Sequence, residues 1–227
     1  SLKKFLNQSN KTATMTINYQ NTLWNNKKVI LGESDKVDPI NLLIGFHGAE
    51  STAENMLVQG NRLKLKNTLL IFPEGPIDAG EGRWSWWKDG PGQQKSVEEF
   101  LFFTDGIIQS AISHFESRSI NQISLWGFSQ GAAASLVYAM LGSQDIFSVA
   151  SVCGFLPEMP KQEKDDASNT SILGIFGLND EIVPSFLAEH ALDEFKSRGY
   201  PINIIETNQG HELTNENLEQ LTNFFNS

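Results

Sequence analysis

A serine between two glycines is the first candidate for chemistry in this sequence. Residues 125–133 read LWGFSQGAA, so Ser129 lies in the pattern G-x-S-x-G, after an apolar run and before several alanines. This pattern marks a nucleophile when it forms a sharp turn between a strand and a helix. Gly127 and Gly131 would leave room for the crowded backbone of such a turn. Because the pattern also occurs by chance, the assignment depends on finding a base and an acid.

His211 is the best placed of the four histidines to act as that base. His114 and His190 fall inside predicted helices, and His47 precedes a glycine at the end of an early strand, where backbone shape explains it as well as imidazole chemistry. His211 lies in TNQGHELT, a loop after the last predicted strand. Catalytic groups of a parallel sheet lie at the carboxyl ends of its strands, which is where this loop begins.

Asp180 is the candidate acid, because it follows the predicted strand SILGIFG in the segment GLNDEIVP. It would hold the imidazole in the correct tautomer and stabilise the imidazolium. An alternative is that Asp180 caps the next helix, with Glu181 as the acid instead. The other aspartates between Ser129 and His211 are poorly placed: a residue before a strand, two residues in a polar run and a residue on a helix, namely Asp145, Asp165, Asp166 and Asp193.

Acyl transfer also needs N–H donors for the developing oxyanion. The sequence predicts that these are the backbone N–H groups of Gln130, directly after the nucleophile, and of Ala49, in the segment FHGAES. The alternative for the second donor is that the His-Gly pair is only a turn that ends a strand.

Apolar runs alternate with helical periodicity along the chain and predict an α/β fold: a mostly parallel sheet of about eight strands with helices on both faces. We expect a single domain over residues 1–227, with a turn near Asn21 and two antiparallel edge strands within residues 1–37. Ser51 and Glu54 have the spacing of a capping box. The segments 76–96 and 157–170 are predicted loops, so no large cap domain is expected. The predicted strands are 13–20, 22–31, 40–48, 68–75, 122–128, 147–155, 171–177 and 202–207, and the predicted helices are 51–66, 97–117, 130–141, 184–198 and 213–225.

Composition excludes some partners. The net charge of −10 argues against nucleic acid, because phosphate binding needs a basic face. No apolar run is long enough for a membrane span, and no apolar stretch follows the first lysines as a signal peptide requires. Together with the single cysteine, Cys153, this predicts a cytoplasmic protein. Cys153 itself is expected to be a small buried residue. No cofactor or metal ion is expected, and the oligomeric state stays open, with a homodimer as one option.

The segments FHGAES, LWGFSQGAAAS, CGFLP, FGLNDEIVP and QGHEL, in this order, resemble the phospholipase/carboxylesterase family of α/β-hydrolases, which includes acyl-protein thioesterases and small bacterial carboxylesterases. The resemblance covers roughly residues 38–225. It implies an α/β-hydrolase fold, a triad of Ser129, Asp180 and His211, and an oxyanion hole formed by Ala49 and Gln130. The sequence departs from the family where Cys153 replaces the usual serine.

These residues predict a serine hydrolase that cleaves carboxylic esters, on a small-molecule or acylated substrate. A peptidase or amidase on the same fold and a non-catalytic binding module are the alternatives. For the substrate pocket we expect three tryptophans and two residues past another strand end: Trp84, Trp86, Trp87, Phe155 and Leu156. The tryptophans have a second interpretation, as core residues beneath a long loop.

Overall fold

The computed structural model describes residues 15–35, 38–161 and 169–227. Within these ranges the chain forms ten strands and five helices. In chain order they are β1 (Asn18–Trp24), β2 (Lys27–Glu33), β3 (Ile40–Phe46), α1 (Ala53–Gly60), β4 (Thr68–Pro73), β5 (Ile77–Gly80), β6 (Arg83–Ser85), α2 (Gln93–His114), β7 (Ile120–Phe128), α3 (Gln130–Leu141), β8 (Ser148–Val152), β9 (Ser171–Gly177), α4 (Ser185–Ser197), β10 (Ile202–Thr207) and α5 (Asn215–Asn226).

Eight of the strands form one sheet in the order β1-β2-β4-β3-β7-β8-β9-β10. β1 pairs antiparallel with β2, and β2 pairs antiparallel with β4. All later neighbours run parallel. The predicted eight-stranded, mostly parallel sheet with an antiparallel edge is therefore confirmed, and the carboxyl ends of the six parallel strands meet at one rim.

Helices cover both faces of the sheet, as predicted. One hydrophobic cluster packs α2, α3 and α4 against one face, and a second packs α1 and α5 against the other. Neighbouring residues of β3 alternate between the clusters, with Leu42 and Ile44 in the first and Leu43 in the second. A strand buried on both faces explains why this segment reads as a continuous apolar run.

The hairpin at the sheet edge turns later than predicted. Asn21 lies within β1 and pairs with Ile30. The turn is formed by Asn25 and Asn26, which have φ angles of 52° and 59°. Two-residue hairpin loops favour positive φ at both positions, and asparagine adopts it more readily than most residues. The predicted turn near Asn21 is therefore wrong.

Helix α1 is shorter than predicted, and its N-cap lies one residue after the predicted Ser51. Its N-cap is Thr52, whose hydroxyl accepts a hydrogen bond from the N–H of Asn55 at 3.1 Å. Ser51 is therefore not the N-cap: its backbone pairs with Trp84, and its hydroxyl accepts from the side-chain amide of Asn55 at 3.2 Å. The helix ends at Gly60, well before the predicted residue 66.

The segment 76–96 contains the β5–β6 hairpin and the start of α2, so it is not the single loop that was predicted. Parts of other predictions lie outside the described residues: 13 and 14 of the first strand, and 162–168 of the loop 157–170. Among the described residues no cap domain is inserted. None of the helices in these ranges is both long and apolar enough to cross a lipid bilayer.

Candidate active site

Ser129 lies at a tight turn between β7 and α3, as the sequence predicts. Its backbone has φ 57° and ψ −123°, a conformation that costs a non-glycine residue about 1–3 kcal/mol. The two flanking glycines make the turn sterically feasible. A Cβ on Gly127 would lie 2.1 Å from the carbonyl oxygen of Gly131, and a Cβ on Gly131 would lie 1.9 Å from that of Phe46. The turn therefore requires glycine on both sides of the serine.

The imidazole of His211 joins Ser129 to Asp180. Nε2 of His211 lies 2.9 Å from Oγ of Ser129, and Nδ1 lies 2.9 Å from Oδ2 of Asp180. With a proton on Nδ1, the ring donates to the carboxylate and accepts from the serine hydroxyl. Ser129, Asp180 and His211 follow β7, β9 and β10 respectively, so three parallel strands of one sheet bring all three residues to the same rim. Their catalytic roles stay predictions.

The Asp180 carboxylate is held ionised and oriented. Its side chain is 1% exposed, and Oδ1 accepts hydrogen bonds from the N–H groups of Ile182 at 2.9 Å and Val183 at 2.8 Å. Burial raises the pKa of Asp180, but the hydrogen bonds from His211, Val183 and Ile182 outweigh it, so the pKa lies below its usual value. Asp180 thus closes a turn before α4 and does not cap that helix, whose N-cap is Pro184.

Cys153 is a neutral thiol beside the hydrogen-bond relay from Ser129 through His211 to Asp180. Burial raises its pKa to about 12, and the charge of Asp180 adds to this effect. Its sulfur, a carboxylate oxygen of Asp180 and a ring nitrogen of His211 lie within 4.8 Å of one another. The Asp180 carboxylate and the His211 ring are already engaged with each other, so we assign no metal to this group. Cys153 has φ 55°, which explains why β8 ends at Val152 rather than at the predicted residue 155.

His47 is a buried, neutral support for the loop after β3. Its Nε2 lies 3.0 Å from the N–H of Gly75, which can only donate, so Nδ1 carries the proton and donates to the carbonyl of Gly48 at 2.7 Å. Burial lowers the pKa of His47 to about 4, although the bond to Gly48 opposes the shift. The ring also packs 4.7 Å from that of Trp86, whose Nε1 donates to the His47 carbonyl.

The bond from His47 also orients the peptide that carries the N–H of Ala49. In a trans peptide the carbonyl of Gly48 and the N–H of Ala49 point in opposite directions, so this N–H points away from the His47 ring. Gly48 lies next to the nucleophile, because a Cβ there would be 3.8 Å from Cβ of Ser129. Gln130 is the first residue of α3, so its N–H has no partner within the helix. The peptide between Gly48 and Ala49 and the first residue of α3 thus both adjoin Ser129, and their role as oxyanion donors stays a prediction.

The β5–β6 hairpin holds this arrangement in place, and no sequence pattern indicated it. The backbone of Ser51 exchanges hydrogen bonds with Trp84 at 2.8 and 3.0 Å, and Oγ of Ser85 accepts from the N–H of Glu50 at 2.9 Å. The side chain of Gln130 accepts from the N–H of Trp86 at 3.0 Å. These contacts join residues more than thirty positions apart, so no local pattern could reveal them.

The five predicted pocket residues divide into two groups. Trp86 and Trp87 are 0% and 1% exposed and belong to the core, so the structure corrects the expectation that they line the pocket. Trp84 is half-buried, and the ammonium of Lys27 lies 3.7 Å from its ring centroid. Phe155 and Leu156 are half-buried past the end of β8, at the catalytic rim.

A cavity of about 220 Å³ opens on the α1 side, where it is lined in part by Gly48 and Phe128, which adjoin the nucleophile. This is smaller than the roughly 300–1,000 Å³ of pockets for drug-sized ligands. Its lining combines apolar and neutral polar side chains with the loop after β3: His47, Gly48, Ser51, Asn55, Met56, Gln59, Phe128 and Leu213.

Two other histidines lie away from the Ser129–His211–Asp180 relay, and two of the candidate aspartates lie outside the described residues. Nε2 of His114 lies 2.5 Å from Oε1 of Glu33 at the other edge of the sheet, and His190 is exposed on α4. Asp165 and Asp166 lie outside the described residues.

The overall structure is similar to those of known esterases. Esterase PE8 is 18% identical over 93% of this chain and 97% of its own, with a TM-score of 0.72. The carboxylesterase from Mesorhizobium loti is 16% identical over 90% and 97% of the two chains, with a TM-score of 0.76. The Bacillus cereus carboxylesterase is 15% identical over 94% of each, with a TM-score of 0.73. No curated protein sequence matches the chain.

At these identities the similarity shows the fold, which is that of an α/β-hydrolase without a large cap among the described residues. The family model described as Phospholipase/Carboxylesterase matches residues 25–227. The chain therefore belongs to the phospholipase/carboxylesterase family, and it is an α/β-hydrolase of the esterase type.

Proposed function

We propose that this protein hydrolyses carboxylic esters or acyl thioesters through an acyl-enzyme on Ser129. The observation that carries the proposal is the unbroken relay from the Ser129 hydroxyl through His211 to Asp180, with 2.9 Å at both steps. A serine hydroxyl is a poor nucleophile unless a base removes its proton, and this relay supplies the base and its orienting carboxylate.

In the first half of the reaction, Oγ of Ser129 attacks the carbonyl carbon while its proton passes to Nε2 of His211. The carbonyl oxygen becomes negative and accepts hydrogen bonds from the N–H groups of Ala49 and Gln130. The tetrahedral intermediate then expels the alcohol or thiol, which takes the proton from Nε2, and Ser129 is left acylated.

In the second half, water attacks the acyl-enzyme and gives its proton to Nε2 of His211. The second tetrahedral intermediate collapses, the carboxylic acid leaves, and the proton returns to Oγ of Ser129. Asp180 stays ionised throughout, which agrees with the lowered pKa of its carboxyl. Every step uses groups of this chain, the substrate and water.

The cavity beside Ser129 is the site we propose for one substituent of the substrate. Its polar members, Ser51, Asn55 and Gln59, are uncharged, and Met56, Phe128 and Leu213 supply apolar surface. The lining therefore favours a small neutral group over a carboxylate or phosphate. Phe155 and Leu156, past the end of β8, are proposed to contact the other side of the substrate.

A fluorophosphonate probe and a series of p-nitrophenyl esters test the proposal together. We expect the wild type to be labelled and to hydrolyse the esters, and Ser129→Ala to lose both activities. Ser135→Ala is the matched control, because Ser135 is buried on α3 and its hydroxyl donates to the carbonyl of Gly131. Matched p-nitroanilides should react far more slowly than the esters. A folded wild type that neither binds the probe nor hydrolyses any ester would contradict the proposal.

A further inference from the structure

Two amide side chains, the half-buried Gln209 and the buried Asn217, pair behind the loop that carries His211. Asn217 is 0% exposed and lies at the third position of α5. Nε2 of Gln209 donates to Oδ1 of Asn217 at 2.8 Å, and Nδ2 of Asn217 donates to Oε1 of Gln209 at 3.0 Å. This reciprocal pair closes the segment 209–217, which contains His211.

All hydrogen-bonding positions of the Gln209 amide are occupied. Beyond the pair, its Nε2 donates to the carbonyl of Glu212 at 2.7 Å, and its Oε1 accepts from the hydroxyl of Thr207 at 2.8 Å. A primary amide offers two donors and two acceptor positions, so nothing is left for water or substrate. Such a saturated network favours a single arrangement of the groups that it joins.

The Asn217 amide is saturated in the same way. Its Oδ1 also accepts from the N–H of Thr214 at 3.1 Å, and its Nδ2 also donates to Oε1 of Gln220 at 3.2 Å. The Thr214 hydroxyl accepts in return from the N–H of Asn217, which forms a capping box at the start of α5. The network therefore ties the loop after β10 to the helix that follows it.

Gln209 also joins this loop to the one that carries Asp180. Its backbone carbonyl accepts from the N–H of Asn179 at 3.1 Å. The contact is close, because a Cβ on Gly177 would lie 2.1 Å from the same oxygen. Asn179, directly before the acid, is thus bonded to Gln209, which lies two residues before the base.

We propose that Gln209 and Asn217 are positioning residues that keep the His211 ring between Ser129 and Asp180. The inference rests on the proposed function, in which this ring transfers the proton. Gln209 and Glu212 flank His211 in sequence, and the bond between them closes the loop around it. Displacing a catalytic group by about 1 Å can reduce the rate by about 10²-fold. Loss of the amide pair should therefore act on turnover more than on substrate binding.

The values of kcat and KM for two amide variants, compared with those of a stability control, separate a positioning role from a purely structural role. Gln209→Met and Asn217→Leu each remove one amide and leave its partner unsatisfied. We expect kcat to fall by about 10- to 100-fold, with KM within about twofold of wild type. The control is Ser124→Ala, which breaks the buried 2.8 Å bond to Ser148 within the sheet, and which should lower the unfolding midpoint without lowering kcat.

Exchanging the two side chains provides a rescue test. Gln209→Asn and Asn217→Gln should each lower kcat, because one amide is then too short or too long to meet its partner. The double exchange restores the combined length of the two side chains. We expect its kcat to be at least about tenfold higher than that of the less active single variant. This set also decides the question if the apolar variants fail to fold.

The proton on Nδ1 of His211 gives a readout that does not depend on turnover. Its bond to Asp180 should give a far-downfield proton resonance in the wild type that disappears in His211→Ala. We expect this resonance to broaden or vanish in folded Gln209→Asn and return in the double exchange. Variants that keep both the resonance and kcat within twofold of wild type would overturn the inference. A wild type with the resonance but without ester hydrolysis would instead contradict the proposed function.

Discussion

Acidification should destabilise the folded protein through His47. This ring is 1% exposed, and its Nε2 accepts a hydrogen bond from the N–H of Gly75. Protonation would place two donors face to face in the core, so the folded state resists it. Burial accordingly lowers the pKa of His47 from 6.5 to about 4.

The sign and size of the effect follow from this difference in pKa. Between about pH 6.5 and pH 4 the unfolded chain binds a proton at His47 that the folded chain does not bind. The free energy of unfolding therefore falls as the pH falls through this window, and the contribution of His47 is fully present only above about pH 6.5. At about 1.4 kcal/mol per pKa unit, the total loss is about 3 kcal/mol.

Urea unfolding followed by tryptophan fluorescence at pH 7 and pH 4.5 measures this loss. Carboxylates also titrate near the lower pH, so the informative quantity is the difference between wild type and His47→Gln. We expect the variant to be less stable at pH 7 but to lose about 2–3 kcal/mol less on acidification. Equal losses in both proteins, or a His47 titration above pH 6 in NMR spectra of the folded protein, would refute the reasoning.

Three further predictions concern the rim of the sheet. Asp180→Asn should lower kcat by about 10⁴-fold without unfolding the protein, because the ring loses its orienting carboxylate, and steady-state kinetics with circular dichroism checks both points. Gly131→Ala should fold poorly, because its Cβ would lie 1.9 Å from a backbone oxygen; a melting temperature equal to that of wild type would contradict the geometry of the tight turn between β7 and α3. Cys153 should resist thiol reagents at pH 8 until the protein unfolds, because its thiol is buried and its pKa is about 12; rapid modification of the native protein would contradict this.

The residues around Ser129 could be predicted because the requirements of the turn are local. A buried strand, a serine between two glycines and a run of alanines all lie within a short stretch, and the structure forms the expected turn there. Asp180 and His211 could be placed because the carboxyl ends of parallel strands share one rim. The sheet and the alternation of strands and helices followed from apolar runs in the same way.

Features that depend on distant contacts could not be predicted. The β5–β6 hairpin is short, and it matters because Ser85 and Trp84 bond to the loop after β3. The core positions of Trp86 and Trp87 are decided by packing against α2 and β3 rather than by their own sequence. The pairing of Gln209 with Asn217 likewise requires the fold to bring a loop and a helix together.

Detection of the acyl-enzyme tests the central claim most directly. Rapid mixing of the wild type with a p-nitrophenyl ester, followed by acid quench and peptide mass spectrometry, should find the acyl group on the peptide that contains Ser129, in step with a burst of about one p-nitrophenol per enzyme. Ser129→Ala should show neither signal. Acylation of a different residue, or undiminished turnover by Ser129→Ala, would contradict the account.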